Sequence, residues 1–305
     1  MELQQLQYLV HVADEGTFTG GAHRSHVVQS AVSASIARLE RELGTAVFDR
    51  SGRRVALTPA GHVLLGHARE ILARVRVAGD DAMAASGEVA GSVDLLILLS
   101  TGTVDLAGCL ARVHAAHPGV RVRLRQTGGS SPDHVDEIVS GRADLGLVIV
   151  PDEPVDGLDV VPVGEVGVVL VCPTDDSLAT ARQVPVSDLA PATWIDFPAG
   201  WGNRLVADAA LDGLDGPRRV AAEVIDVSTA LGLVAGGLGV AFVPETAVVG
   251  RDDIAVVDLA RPPTRSTIGV ATSTRLPYSA ATAAVRDALC VGVTTGRSGP
   301  PSGTP

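Results

Sequence analysis

Three cysteines, Cys109, Cys172 and Cys290, are all that 305 residues contain, and no two form a CxxC pair. An odd number of isolated thiols excludes a disulfide framework and a zinc site, leaving buried structural thiols as the reading of all three. Hydrophobic residues make up 46% of the chain, yet no run of about 18 apolar residues occurs, so no membrane-spanning helix is expected. The N-terminus shows neither a basic segment nor an apolar signal core, which makes the cytoplasm the expected location and a membrane an unexpected partner. Lysine is absent: all 24 basic residues are arginine, against 35 acidic residues and a net charge of -11.

Catalytic signatures are absent as well. There is no GxSxG elbow, no HExxH and no P-loop. Gly236-Gly237-Leu238-Gly239 has the wrong spacing for a dinucleotide fingerprint and precedes a strand instead of following one. His23 and His26, like His62 and His67, have no partner ligands at metal spacing. No catalytic residue, metal or cofactor is expected, which sets aside an enzyme on this scaffold.

What the chain does contain is concentrated in QSAVSASIARLERELGTAVFDRSGRRVALTPAG, residues 29–61. Val32, Ile36, Leu39 and Leu43 form a helical stripe facing a core. The opposite side shows Gln29, Ser30, Ser33 and Ala34, small enough for close approach to another surface. The Gln29 carboxamide both donates and accepts, which suits the N6/N7 edge of adenine. After Gly44, a predicted C-cap, residues 47–48 and 55–57 read as short strands joined through Arg50, Ser51, Gly52, Arg53 and Arg54. By itself that turn reads as a solvated basic loop. Upstream, Leu3, Leu6, Leu9, Val10 and Ala13 mark a first helix ending near Gly16, and Thr17 or Thr19 caps a short second one carrying Ala22 and His26. Three short helices and a hairpin make the winged helix-turn-helix plan.

Residues 1–65 resemble the N-terminal domain of a LysR-type transcriptional regulator, through EL..L.Y.V.VA.EG.FT, Q.A.S..I..LE.ELG...F.R and R.V.LT.AG. The family usually carries Ser-Gln-Pro where Val28-Gln29-Ser30 stand, and a better helix former than Gly20-Gly21, whose glycines cost a helix about 1 kcal/mol each. The resemblance implies double-stranded DNA as partner, with an interrupted inverted repeat as operator. Gln29, Ser30, Ser33 and Ala34 would face bases, and Arg50, Arg53, Arg54 and Thr58 would meet the minor groove or phosphates. RNA polymerase is a further implied partner. Charge only permits this: residues 1–76 hold nine arginines against seven acids, and the remainder 15 against 28.

Thr58-Pro59 is an N-cap followed by proline at the first helical position. The helix that follows carries Val63, Leu64, His67, Ile71, Leu72, Val75 and Ala78. A helix between two domains needs a partner for its apolar face, and the family implies the same helix of a second subunit, giving a homodimer or homotetramer. Past the break at residues 86–91, strands at 93–99, 120–125 and 145–150 alternate with helices at 106–117 and 131–140, predicting a parallel sheet with helices on both faces. The alternation then repeats: strands at 166–172, 194–197, 220–224, 239–244 and 268–271, helices at 202–211, 228–235 and 280–289.

The expected class is thus α/β, with a winged helix-turn-helix domain at 1–58, a linker helix at 59–87 and an effector domain at 92–292. The tail, 293–305, is disordered by composition. The effector domain is expected to be two-lobed, like a periplasmic binding protein, with the chain crossing out near Pro151 and back near Arg265. HPGVRVRLR, GRADLGLV and LVAGGLGVAFVPE extend the resemblance to about residue 290. A solute-binding protein is the alternative, disfavoured by the helical N-terminus. Ligands in such folds settle at strand carboxyl ends and helix N-termini. This singles out Ser100, Thr101, Thr103, Gly129, Ser130, Asp226 and Ser228 for a small anionic or polar effector, with Phe197 or Trp201 closing over it. Each of those hydroxyl and carboxylate residues also suits an ordinary helix cap.

Overall fold

The computed structural model describes residues 1–49, 55–85, 87–126, 131–214 and 216–291. Helices α1 (Leu3–Glu15), α2 (Phe18–Arg24) and α3 (Gln29–Leu43) precede an antiparallel ladder of β1 (Phe48–Asp49) and β2 (Ala56–Leu57). Gly16 and Gly44 end α1 and α3 at φ 64° and 70°, in the left-handed region that glycine enters without penalty. Leu6, Leu9 and Val12 of α1 meet Val32, Ile36 and Leu39 of α3 in one core.

The glycines of α2 are a packing requirement. A Cβ on Gly21 would stand 2.6 Å from Val12 Cγ2 and 2.9 Å from the Val12 backbone, so α1 and α2 cross too closely for alanine. Thr17, not Thr19, caps α2, accepting the Gly20 N–H at 3.0 Å, and His26 lies beyond the helix in the turn to α3 at φ 54°.

Helix α4 (Pro59–Ala84) has 26 residues and a length of about 39 Å. Its first half belongs to the head: Ala68 is buried in the head core, and Leu64, Ile71 and Leu72 pack against it. This corrects the expectation of one apolar stripe running between subunits. Three short helices leave one side of their core open, and α4 covers that side. Of the stripe Leu64, Ile71, Leu72 and Val75, only Val75 is solvent-facing, at 48% exposure.

The first lobe is a five-stranded sheet, ordered β4 (Gly119–Arg125), β3 (Ala90–Leu96), β5 (Leu145–Ile149), β12 (Ser266–Ser273) and β6 (Leu158–Val166). β3 runs parallel to β4 and β5, but β12 is antiparallel to both β5 and β6, so the sheet is mixed where a parallel one was expected. Helices α5 (Leu106–Ala116) and α9 (Ala280–Val291) cover one face, and α6 (Ser131–Val139) covers the other. The chain does not leave this lobe near Pro151. It first returns as β6, whose one strand partner among the described residues is β12 and which carries Pro162, tolerable there because an edge strand has N–H positions outside the ladder. The crossing falls at Gly167, between β6 and the next strand, and the return near Arg265.

In the second lobe β7 (Val168–Pro173) lies antiparallel between β10 (Ala241–Pro244) and β11 (Ile254–Val256). The parallel pair β8 (Thr193–Asp196) and β9 (Arg219–Glu223) joins β10 through a bridge between Trp194 and Val240. Helices α7 (Gly202–Ala210) and α8 (Val227–Ala235) pack into separate cores, one around Trp194 and Phe242, the other around Phe197 and Val243. Cys109 and Cys172 are buried free thiols, burial pushing the second up to about 11, whereas Cys290 is only half-buried.

Candidate functional site

The head offers one face of α3. Gln29, Ser30 and Ala34 are exposed and Ser33 is half-buried, while Val32, Ile36 and Leu39 of the opposite stripe are sealed in the core and Leu43, expected with them, is exposed at the helix end. Among the described residues no side chain caps the start of α3, so its first turn presents backbone donors and a positive helix end beside Gln29. The same face continues one turn on to exposed Arg38, which sequence reading missed although it follows Ser30 and Ala34 at four-residue spacing. Glu40 fastens the wing to this helix, its Oε1 accepting the N–H groups of Val47 at 2.9 Å and Phe48 at 3.2 Å. Arg50, Arg53 and Arg54 lie outside the described residues. The Thr58 hydroxyl donates to Ala46 O at 2.7 Å and accepts from Gly61 N at 3.0 Å. With its single donor occupied, Thr58 serves the junction of wing and α4, a correction to its expected phosphate role.

Between the two lobes lies a cleft of about 610 Å³. Its walls are the segment after β3, the first turns of α6 and α7, the end of β5, and the paired strand ends where the chain crosses between lobes. α6 is held in place by Ser131 Oγ, which accepts Ile149 N–H at 2.9 Å, and by His134 Nδ1, 2.8 Å from Leu147 O. His134 is fully buried, and burial holds its pKa below 6.5. On the other side, Asp196 lies between Arg204 of α7 and Arg218, each 3.2 Å away, and Arg204 also donates to Phe197 O at 3.2 Å. Burial raises the Asp196 pKa, and the two guanidiniums oppose that rise. This cluster sets where α7 begins.

Of the residues singled out for a ligand, Ser100 lines the cleft. Thr101 and Thr103 close their own loop and tie it to β6: Thr101 Oγ1 donates to Val104 O at 3.2 Å, and Thr103 Oγ1 accepts Glu165 N–H at 3.0 Å. Asp226 caps α8, accepting Thr229 N–H at 2.7 Å, and Ser228 is exposed in that first turn. Gly129 and Ser130 lie outside the described residues. Phe197 is 1% exposed in the core under α8, so it cannot close over a ligand, and Trp201 packs half-buried against the same core. The stretch 196–204, expected to wall the cleft, does so through Gly202 and Asn203, whereas sequence reading missed Asp136, Thr264 and Ser266 on the same wall. Two of them sit at strand and loop positions brought together only by the second crossing between lobes.

A groove on the far side of α6 is lined by His62, Leu65 and Arg69 of α4, Asp136 and Val139 of α6, and Leu276. Asp136 thus borders both groove and cleft. Beyond it, Arg76 of α4 pairs with Asp144, whose other oxygen accepts Asp94 N–H at 2.8 Å. No cluster of metal-ligating side chains occurs among the described residues, and none of their helices is long and apolar enough to cross a membrane.

A helix-turn-helix head joined by one long helix to a two-lobed domain with a cleft defines the chain as a one-component regulator by architecture. The comparisons give the family. Residues 3–62 match the bacterial regulatory helix-turn-helix proteins of the lysR family, and residues 86–290 match the LysR substrate binding domain. The HTH-type transcriptional regulator ShiR of Corynebacterium glutamicum (strain R) is 34% identical over 253 residues, covering 79% of this chain and 82% of that one. Among solved structures, a full-length OxyR variant from Pseudomonas aeruginosa has a TM-score of 0.69 at 22% identity, covering 98% and 99% of the two chains. Full-length CbnR complexed with its target DNA has a TM-score of 0.58 at 24% identity, covering 96% and 100%. The chain belongs to the LysR family: it is a DNA-binding transcriptional regulator with an effector-binding domain, not an enzyme.

Proposed function

We propose that this regulator binds an interrupted inverted repeat as a homo-oligomer in the cytoplasm and reads a small molecule in its interlobe cleft. Gln29, Ser30, Ser33, Ala34 and Arg38 would face the major groove, with the wing arginines Arg50, Arg53 and Arg54 on flanking phosphates or minor groove. The observation that carries the ligand response is α6, one wall of which lines the cleft while the other borders the linker helix. A molecule that moves α6 on binding changes the seat of α4, and α4 carries the head. That is coupling between two sites through one element.

Oligomerisation is supported by the second half of α4. Val75, Ala78, Gly79, Ala82 and Met83 are exposed at i, i+3, i+4, i+7, i+8 spacing, an apolar stripe facing away from the chain's own cores. Two such helices side by side would bury it and set two heads at a fixed spacing. Contact with RNA polymerase is part of the same proposal for an operator next to a promoter. DNase footprinting of the full-length protein on the DNA upstream of its gene tests the reading. Two protected half-sites on one face of the duplex, whose spacing or extent changes with a cleft ligand, are expected. A single protected site indifferent to every ligand that occupies the cleft would overturn it.

A further inference from the structure

The cleft has a chemical character that an anionic effector does not fit. Its walls carry Leu98, Leu99, Val135, Ile149, Leu205 and Val206, and its charged lining residues are Asp136 and Asp152, both exposed. Among the described residues no arginine or histidine lines it, and the chain has no lysine. Residues 127–130 are Thr-Gly-Gly-Ser and bring no charge of their own. The arginines beside lining residues in sequence are already engaged. Arg204 holds Asp196 and Asp208, and Arg265 holds Glu245 and Glu165. The first turns of α6 and α7 face the cleft with partial positive charge, about half a unit each, against two full negative charges. Pro132 supplies no N–H at the α6 end.

One wall residue keeps a buried polar atom unpartnered. Asn203, in the first turn of α7, is 6% exposed, and its amide nitrogen has no hydrogen-bond partner among the described residues. A carboxamide exchanges donor and acceptor by turning over, so it can offer either to a guest. Leaving such a group unmatched is unfavourable, and a neutral carbonyl or hydroxyl brought against it would remove the penalty.

We infer that the cleft takes a largely apolar molecule without negative charge, oriented by a neutral hydrogen-bond acceptor on the Asn203 amide. This rests on the cleft being the effector site proposed above. A carboxylate placed there would lose part of its water to aliphatic side chains, facing two like charges and, among the described residues, no cation.

The test uses the full-length protein and the neutral fluorophore N-phenyl-1-naphthylamine, displaced by two molecules of one skeleton, the ketone 2-acetonaphthone and the anion 2-naphthoate. The ketone should displace the fluorophore at a concentration lower by about tenfold or more than the naphthoate at pH 7.5, a tenfold difference being the signature of one strong discriminating contact. Leu205→Glu should abolish fluorophore binding. Asn203→Leu should weaken the ketone several-fold relative to the fluorophore, which has no carbonyl. Asp136→Asn with Asp152→Asn should strengthen the naphthoate more than the ketone and so narrow the difference between them. Naphthoate binding as tight as the ketone, or ketone displacement indifferent to Leu205→Glu, overturns the inference. Ketone binding that leaves the operator footprint unchanged supports the ligand class and overturns the regulatory role of the cleft, so the two failures are distinguishable.

Discussion

Arg69 and Arg76 stand two turns apart on α4 and reach different domains: Arg69 Nη2 lies 2.5 Å from Asp14 of the DNA-binding head, and Arg76 pairs with Asp144 of the effector domain. One helix is therefore fastened by ion pairs at both ends of its working stretch. The first pair is nearly buried, with 11% and 8% of its side chains exposed, and Asp14 also holds Arg24 at 3.1 Å. Arg69→Ala should destabilise the head by about 2–3 kcal/mol, because it leaves Asp14 desolvated with one weaker partner. Arg76 is more exposed and its loss should cost about 1 kcal/mol or less. Hydrogen exchange would separate them: Arg69→Ala speeds exchange throughout α1, and Arg76→Ala only in the last turns of α4. Equal effects on both regions would show that the linker does not divide the load this way.

Base reading and phosphate holding are separable on DNA. Gln29→Ala should cost about 1–3 kcal/mol on the operator and relax preference at one base position. Arg54→Ala should weaken every sequence alike and reduce the slope of log K against log salt by about one. Titrations of operator and random duplex at several salt concentrations check both. Identical losses on both duplexes for both variants would reverse the assignment.

The exposed stripe on α4 is the seam to disrupt. Val75→Glu with Met83→Glu adds two charges where the proposed partner helix would lie, and unpaired charges at a seam cost several kcal/mol, of order 3–5. Both residues are exposed in the single chain, so the fold should survive. Analytical sedimentation should show a smaller species with unchanged circular dichroism and weakened operator binding. An unaltered oligomer would place the subunit contact elsewhere.

Acid should loosen α6 before it unfolds the rest. His134 is held neutral by burial, its folded pKa lying below the unfolded 6.5. Once the pH drops under 6.5 the unfolded chain takes up the proton more readily, so stability falls with pH until the folded pKa is passed and then levels off. His11, also depressed by burial and by Arg24, contributes in the same direction. His134→Gln should lower the melting temperature at pH 8 yet flatten its decline between pH 6.5 and 5. A decline as steep as in the unsubstituted protein would assign the acid sensitivity to other groups.

Gly21 tests helix propensity against packing. Propensity alone says that alanine gains about 1 kcal/mol in a helix interior. With Val12 atoms 2.6–2.9 Å from the new Cβ, Gly21→Ala should instead lose about 1–3 kcal/mol through overpacking. A urea melt of the head decides the sign.

The helices were legible because their signals are local. Thr58-Pro59 starts α4, Gly44 stops α3, and the Val32-Ile36-Leu39 stripe faces the core, each a matter of 3.6-residue periodicity and backbone preference. The polar face of α3 follows from the same period, which is also why Arg38 could have been found. The family strings carried the two-lobed plan across the rest. Partners distant in sequence were not legible. Among the described residues β6 joins the first sheet only through β12, about a hundred residues later, and its proline and scattered valines give no alternation to read. Phe197 reads as a lid from its loop and proves to be core, because burial depends on what packs above it. The electrostatics of the cleft belong to the same class. Whether an arginine near a ligand site is available depends on which carboxylate has claimed it, and Arg204 and Arg265 were claimed by partners that only chain crossing brings near. Local sequence fixes turns and periods through steric and solvation preferences of neighbouring residues; the chemistry of the cleft arises where remote segments meet and compete for the same charges.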